Sequence, residues 1–199
     1  MNTLDSVRKA PHSKTMGIEI EAVFDVRYDD DWVGFFYKGT DGSIQRPSYR
    51  QYGYEFVSQP LTYEWMHREL GKLYKKILPY GMSVNSSCGI HIHVSKAWFS
   101  DKKANAVQKF LTTLTNEEMH DLFGRRPNHY CDPLDSPKSR YNAVNTTNAT
   151  TNELRMFCSG DLKWAKYCVD CAKYMVENAY HLNIDAFTAF QDQPKYKDI

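Results

Sequence analysis

Three short segments of the chain, residues 17–21, 88–95 and 153–157, alternate between apolar and polar residues with a period of two. Successive side chains of a strand point to opposite faces, so this period predicts three strands that each bury one face. The apolar faces carry Ile18, Ile20, Ile90, Ile92, Val94, Leu154 and Met156. The polar faces carry Glu19 with Glu21, His91 with His93, and Glu153 with Arg155. Carboxylates, imidazoles and a guanidinium on one face indicate a site for a metal and an anion.

The rest of the pattern predicts further strands and helices. Additional strands are expected over residues 32–38, 53–58, 82–85 and 140–145. One helix is indicated by apolar residues at helical spacing, namely Met66, Leu70, Leu73 and Ile77. A second helix should begin after the cap residue Ser100, and a last one should span 161 to about 180. The proline-rich stretch 124–139 is expected to be irregular.

Runs of strands separated by helices, with hairpin-like connections and no repeat, predict the α+β class. We expect a curved antiparallel sheet with helices on one face and an open, polar face on the other. A length of 199 residues suits a single domain, 1–199, with flexible tails at 1–14 and 191–199.

Composition narrows the class of partner. The formal net charge is +1 and the basic residues are scattered, which gives no electrostatic case for nucleic acid or an anionic membrane. No apolar run reaches membrane-spanning length and residues 1–15 are polar, so we expect a soluble, cytoplasmic protein. The five cysteines fit reduced thiols, and Cys168 and Cys171 lie in a helical pattern that favours packing over metal binding.

The acidic candidates are Glu19, Glu21, Asp41 and Glu55, with Glu153 on the third strand. Carboxylate oxygens are hard ligands that suit Mg²⁺ or Mn²⁺. The alternatives remain that the glutamates are solvated on an exposed strand and that Asp41 only builds a turn.

The histidines and arginines leave several interpretations open. His91 and His93 could bind zinc together with Cys88, or could be hydrogen-bonded core residues. Arg155 could bind a phosphate or carboxylate, with Arg140 as a second anion ligand, or could pair with Glu153 at the surface. Arg125 and Arg126 are better explained as solvated charge.

Six segments in this order resemble the motifs of the putative amidoligase family: residues 17–21, 41–44, 55–60, 88–94, 140–145 and 153–157. This family is grouped with the carboxylate-amine ligases related to glutamine synthetase and glutamate-cysteine ligase. The resemblance implies a phage or bacterial protein whose concave sheet face binds ATP and two or three Mg²⁺ ions, with Mn²⁺ as a substitute.

The resemblance also implies roles for individual residues. One metal would be held by Glu21, Asp41 and Glu55, and the metal between the ATP phosphates by Glu19, His91 and Glu153. His93 and Ser95 would approach the nucleotide, while Arg140 and Arg155 would face the transferring phosphate or the substrate carboxylate.

The predicted reaction is ATP-dependent joining of a carboxylate and an amine through an acyl phosphate. The acid and the amine could be small molecules or peptides, and a modified nucleobase stays open as a substrate. Two alternatives remain: a non-catalytic protein that binds metal or nucleotide, and a hydrolase or non-haem iron oxygenase that uses His91, His93 and a glutamate.

Overall fold

A single sheet organises the structure, a computed structural model that describes residues 14–133 and 139–197. Its strands, in chain order, are β1 Met16–Phe24, β2 Trp32–Val33, β3 Phe36–Gly39, β4 Tyr52–Ser58, β5 Met82–Ser83, β6 Gly89–Ser95, β7 Val144–Asn145 and β8 Thr151–Cys158. The spatial order is β2-β3-β4-β1-β6-β8-β7, and β5 pairs with the end of β1. All of these strand pairs are antiparallel, and the sheet is not closed.

Five helices accompany the sheet within the described ranges: α1 Tyr63–Ile77, α2 Asp101–Thr112, α3 Asn116–Phe123, α4 Leu162–Glu177 and α5 Ile184–Gln191. The alternating apolar residues of the strands and the inner faces of the helices form one buried core. All seven strand residues predicted to be apolar-facing are at most 1% exposed, as are the four of α1. Burial of each such side chain stabilises the folded state by about 1.5–3 kcal/mol. The helices therefore pack against the apolar face of the sheet, and the polar face stays open.

Local signals set several helix ends. The Ser100 side chain accepts a hydrogen bond from the Lys103 backbone N–H, which confirms the predicted start of α2. A 3₁₀ turn at Leu78–Tyr80, which contains Pro79, follows the last residue of α1. Cys168 and Cys171 are both fully buried within α4, which confirms that they are packing residues in a helix.

The structure differs from the predicted elements in five places, one of which is the strand expected over 82–85, which spans only Met82–Ser83. The strand expected over 32–38 is the hairpin β2–β3, and the strand edge expected at 140–145 is reduced to Val144–Asn145. The last predicted helix ends at Glu177, earlier than 180. Helices α3 and α5 were not predicted, although Thr115 and Glu118 form a capping box at the start of α3.

The expected C-terminal tail is also more ordered than its composition suggests. A 3₁₀ turn spans Pro194–Tyr196, and Tyr196 is 7% exposed because its hydroxyl donates to Asp170 of α4. The tail expected over 1–14 and the last two residues of the tail at 191–199 lie outside the described residues, apart from Lys14. Over the ranges that the structure describes, no helix combines the length and apolarity needed to cross a membrane.

Candidate metal and anion site

Strand register brings the predicted polar residues together on the open face of the sheet. Glu21 of β1 lies opposite Glu55 of β4. Glu19 lies opposite His91 of β6. His93 of β6 lies opposite Glu153 of β8, and Glu153 in turn lies opposite Asn145 of β7. Residues opposite one another in an antiparallel pair share a face, so the three predicted strands and β4 build one continuous polar surface.

The first group of possible metal ligands consists of Glu21, Asp41 and Glu55, which offer oxygen atoms within 4.8 Å of one another. Asp41 is held by an Asx turn, in which the Ser43 N–H donates to its Oδ1 at 2.7 Å. The backbone N–H of Gly89 donates to Oε2 of Glu21 at 2.7 Å. Three carboxylates this close repel one another unless a cation or a proton compensates their charge.

The pKa values in this group also indicate that its negative charge needs compensation. Burial raises the pKa of Glu55 to about 7, and the charges of Glu19, Glu21 and Asp41 add to the shift. Burial also raises the pKa of Glu21, against the opposing charge of His91. The site therefore favours extra positive charge, and an all-oxygen donor set suits a hard divalent cation.

The second group consists of Glu19, His93 and Glu153, whose ligand atoms also lie within 4.8 Å of one another. His93 Nε2 is 2.9 Å from Glu19 Oε1. His91 Nδ1 is 3.1 Å from Glu19 Oε2 and 3.6 Å from Glu153 Oε1. The family resemblance implies that one metal is held by Glu19, His91 and Glu153. In the structure the group of three contains His93 in place of His91, and His91 lies beside it.

Glu19 is ionised by its neighbours. Burial alone would raise its pKa, but hydrogen bonds with His91 and His93 outweigh that effect and lower the pKa well below its usual range. In turn, burial would lower the pKa of His93, yet its hydrogen bond to Glu19 raises it. This charge pairing keeps Glu19 available as an anionic ligand.

Glu153 is positioned by two donors. Asn145 Nδ2 donates to its Oε2 at 2.7 Å, and a terminal nitrogen of Arg155 donates to its Oε1. Arg155 also donates from Nε to the Tyr130 carbonyl at 3.2 Å. The pair of Glu153 and Arg155 is thus part of the site, because the Glu153 side chain is only 4% exposed and that of Arg155 only 12%.

Two pockets open on this surface. One, of about 200 Å³, is lined by Glu21, His91, Arg125, Tyr130 and Tyr141 among others. A second, of about 460 Å³, is lined by His93, Asn145, Thr147, Asn148 and Glu153 among others. They share five residues, namely Glu19, Asp41, Glu55, Arg140 and Arg155. Three of the six possible metal ligands and two arginines therefore lie where the pockets meet.

One expectation is corrected by this geometry, and two other candidate residues lie outside the groups of possible metal ligands among the described residues. Arg125, which was explained as solvated charge, is 7% exposed and lines the smaller pocket, while Arg126 is exposed. Cys88 is buried against Val23 and Ile44, and the groups of possible metal ligands among the described residues do not include it. Ser95 ends β6 opposite Thr151, outside the described lining of both pockets.

Comparison with known proteins is consistent with this arrangement. No match was found among curated proteins. The family model described as putative amidoligase enzyme matches residues 12–159, which include all eight strands and every possible metal ligand named above. Because the match covers most of the chain, this protein belongs to the putative amidoligase enzyme family.

Proposed function

We propose that the protein is an ATP-dependent ligase that joins a carboxylate to an amine through an acyl phosphate, in the cytoplasm and with Mg²⁺ or Mn²⁺. Family membership supports the ligase class. The observation that carries the proposal further is the meeting of the two pockets at acidic groups and at Arg140 and Arg155. The open sheet face would then act as the concave active-site surface of a glutamine synthetase-like domain.

Two cations fit the donor groups. Glu21, Asp41 and Glu55 would hold one, and Glu19, His93 and Glu153 would hold the other, with His91 orienting Glu19. When bound, the cations would neutralise phosphate charge and polarise the transferred group. All-oxygen ligation in the first group favours a hard cation over the iron or zinc of a hydrolase or oxygenase.

In this proposal the larger pocket holds the triphosphate of ATP and the smaller one holds the acid. A carboxylate oxygen of the acid attacks the terminal phosphorus, the bond to the bridging oxygen breaks, and ADP leaves. Arg140 and Arg155 line both pockets, so they can contact the charge that develops on the transferred group. The amine nitrogen then attacks the acyl carbon, phosphate leaves, and one proton is released.

This function predicts a partial reaction that does not require the natural amine. Hydroxylamine is a small amine that traps acyl phosphates as stable hydroxamates. We would incubate the protein with Mg²⁺, ATP, hydroxylamine and a panel of carboxylic acids, and measure hydroxamate together with phosphate release. Acid-dependent hydroxamate formation supports the ligase. Acid-independent phosphate release, or tightly bound stoichiometric iron or zinc, would support the other classes.

A further inference from the structure

Arg125 is placed in the smaller pocket by two glycines. It directly follows Gly124, the C-cap of α3, which adopts a φ of +69° and at which a Cβ would collide with the sulfur of Cys158. A Cβ added to Gly89 of β6 would lie only 2.5 Å from a terminal nitrogen of Arg125. The absence of a side chain at Gly89 leaves the space that the guanidinium occupies, while the positive φ of Gly124 lets the chain turn directly before Arg125.

The guanidinium is buried without a full set of partners. Arg125 is 7% exposed, and its Nε is buried with no hydrogen-bond acceptor. One terminal nitrogen donates to the Arg155 carbonyl at a long 3.5 Å. Across the described ranges, no carboxylate forms an ion pair with this cation. Native structures rarely leave a buried charged donor unpaired, so an anion that enters the pocket would supply an acceptor that the described residues do not provide.

Arg125 differs from the other two arginines in its position. Arg140 and Arg155 line both pockets, whereas Arg125 lines only the smaller one, next to Tyr130 and Tyr141. A phosphate that reached Arg125 would have to leave the larger pocket, while an acid in the smaller pocket would contact it directly. An acid that lies entirely within this pocket of about 200 Å³ must be a compact molecule.

We propose that Arg125 binds an anionic group of the acid substrate and restricts the ligase to compact carboxylic acids. This inference rests on the proposed function for its identification of the smaller pocket. Arg125 is a specificity-determining residue in this scheme, and Arg140 and Arg155 serve the transferred phosphate.

The unpaired Nε–H gives a direct spectroscopic test. The ¹⁵N side-chain signal of Arg125, assigned by its loss in Arg125→Lys, would be followed in protein saturated with Mg²⁺ and a non-hydrolysable ATP analogue. Acetate, succinate and the bulky, rigid 1-pyrenecarboxylate would be titrated at constant ionic strength, with chloride as the compensating anion. We expect a saturable shift for the two small acids and a weaker response to 1-pyrenecarboxylate.

Variants provide a second measurement. Arg125→Gln should raise the concentration of acid required for half saturation by about tenfold or more, because a charge-assisted hydrogen bond is lost. The affinity for Mg²⁺ and nucleotide should be unchanged, Arg125→Lys should restore part of the acid binding, and Arg126→Gln should behave as wild type. Thermal melting would show that each variant is folded.

The outcomes separate this inference from the proposed function. If nucleotide does not bind with Mg²⁺, the proposed function fails. Suppose that nucleotide binds but the ¹⁵N chemical shift of Arg125 is unchanged by every acid, or changes only when the nucleotide is added. Either result would overturn the role of Arg125 in acid binding. Equal affinity of wild type and Arg125→Gln for the acids would overturn it as well.

Discussion

Glu21 and Glu55 lie directly opposite each other in the β1–β4 ladder, with Asp41 close enough to share a cation with both. Like charges in this position destabilise a sheet by roughly 0.2–1 kcal/mol. The arrangement is therefore unfavourable without a cation, and a bound divalent cation would make it favourable.

We predict that Glu55→Gln stabilises the metal-free protein at neutral pH and removes most of the stabilisation by Mg²⁺. The variant should melt higher than wild type by about 2–4 °C, which corresponds to about 1 kcal/mol for a chain of this size. Melting curves with Mg²⁺ and with chelator check this, and Glu117→Gln in α3 provides an exposed control. A variant with the wild-type Mg²⁺ response would contradict the assignment of Glu55.

His91 and His93 should differ in their effect on the second cation. Since His93 is grouped with Glu19 and Glu153, His93→Ala should raise the Mg²⁺ concentration needed for nucleotide binding by about tenfold or more. His91→Ala should have a smaller effect, because His91 contacts this group through Glu19. Calorimetric titration of both variants measures the difference, and the reverse order would favour the assignment implied by the family resemblance.

Arg155→Lys should lower turnover with little change in ATP affinity. Lysine keeps the positive charge but lacks the planar donor geometry that contacts Glu153 and, in the proposed reaction, would contact the developing charge on phosphate. Loss of one preorganised contact typically costs on the order of a hundredfold in rate. Turnover and nucleotide affinity should be measured in the same preparation, alongside Arg126→Lys. Unchanged turnover would remove Arg155 from the catalytic group.

Asp170 of α4 should stabilise the protein in a pH-dependent way. Its Oδ1 lies 2.7 Å from His67 Nε2 and accepts from the Tyr63 hydroxyl at 2.6 Å, and its Oδ2 accepts from the Tyr196 hydroxyl at 2.6 Å. Burial alone would raise the pKa of Asp170, but the hydrogen bonds with His67, Tyr196 and Tyr63 lower it well below its usual range. The folded state therefore favours the carboxylate, and the stabilisation is present above the unfolded pKa of about 4.

Replacement of this carboxylate tests the assignment. Asp170→Asn should cost about 3 kcal/mol near neutral pH, since the donors around it lose a charged acceptor. The difference from wild type should shrink as the pH falls below about 4. Urea unfolding at several pH values measures it, with Glu177→Gln as an exposed control on α4. A difference that does not depend on pH would show that the charge of Asp170 is not responsible.

Much of the sheet follows from local patterns. The alternation at Ile18 and Ile20, and at Ile90 and Ile92, is sufficient to predict strands that are buried on one face, because the period of two does not depend on distant residues. Helix α3 could have been recognised from Thr115 and Glu118, which match the capping-box spacing.

Other features depend on tertiary contacts that no local pattern contains. The burial of Arg125 requires Gly89, which is distant in the sequence, and the order of the C-terminal segment requires the contact of Tyr196 with Asp170. Which of His91 and His93 joins Glu19 and Glu153 as a possible metal ligand depends on the direction of each side chain within a shared strand face. These details require the register of β1, β6 and β8.

Transfer of oxygen from the acid to phosphate tests the central claim most directly. An acid that supports hydroxamate formation would be labelled with oxygen-18 in its carboxylate, and the released phosphate would be analysed by mass spectrometry. The acyl-phosphate route predicts one labelled oxygen in each phosphate, because the carboxylate oxygen that attacks phosphorus leaves with it. Phosphate without the label would mean that water or another group attacks ATP, and would contradict the proposed ligase mechanism.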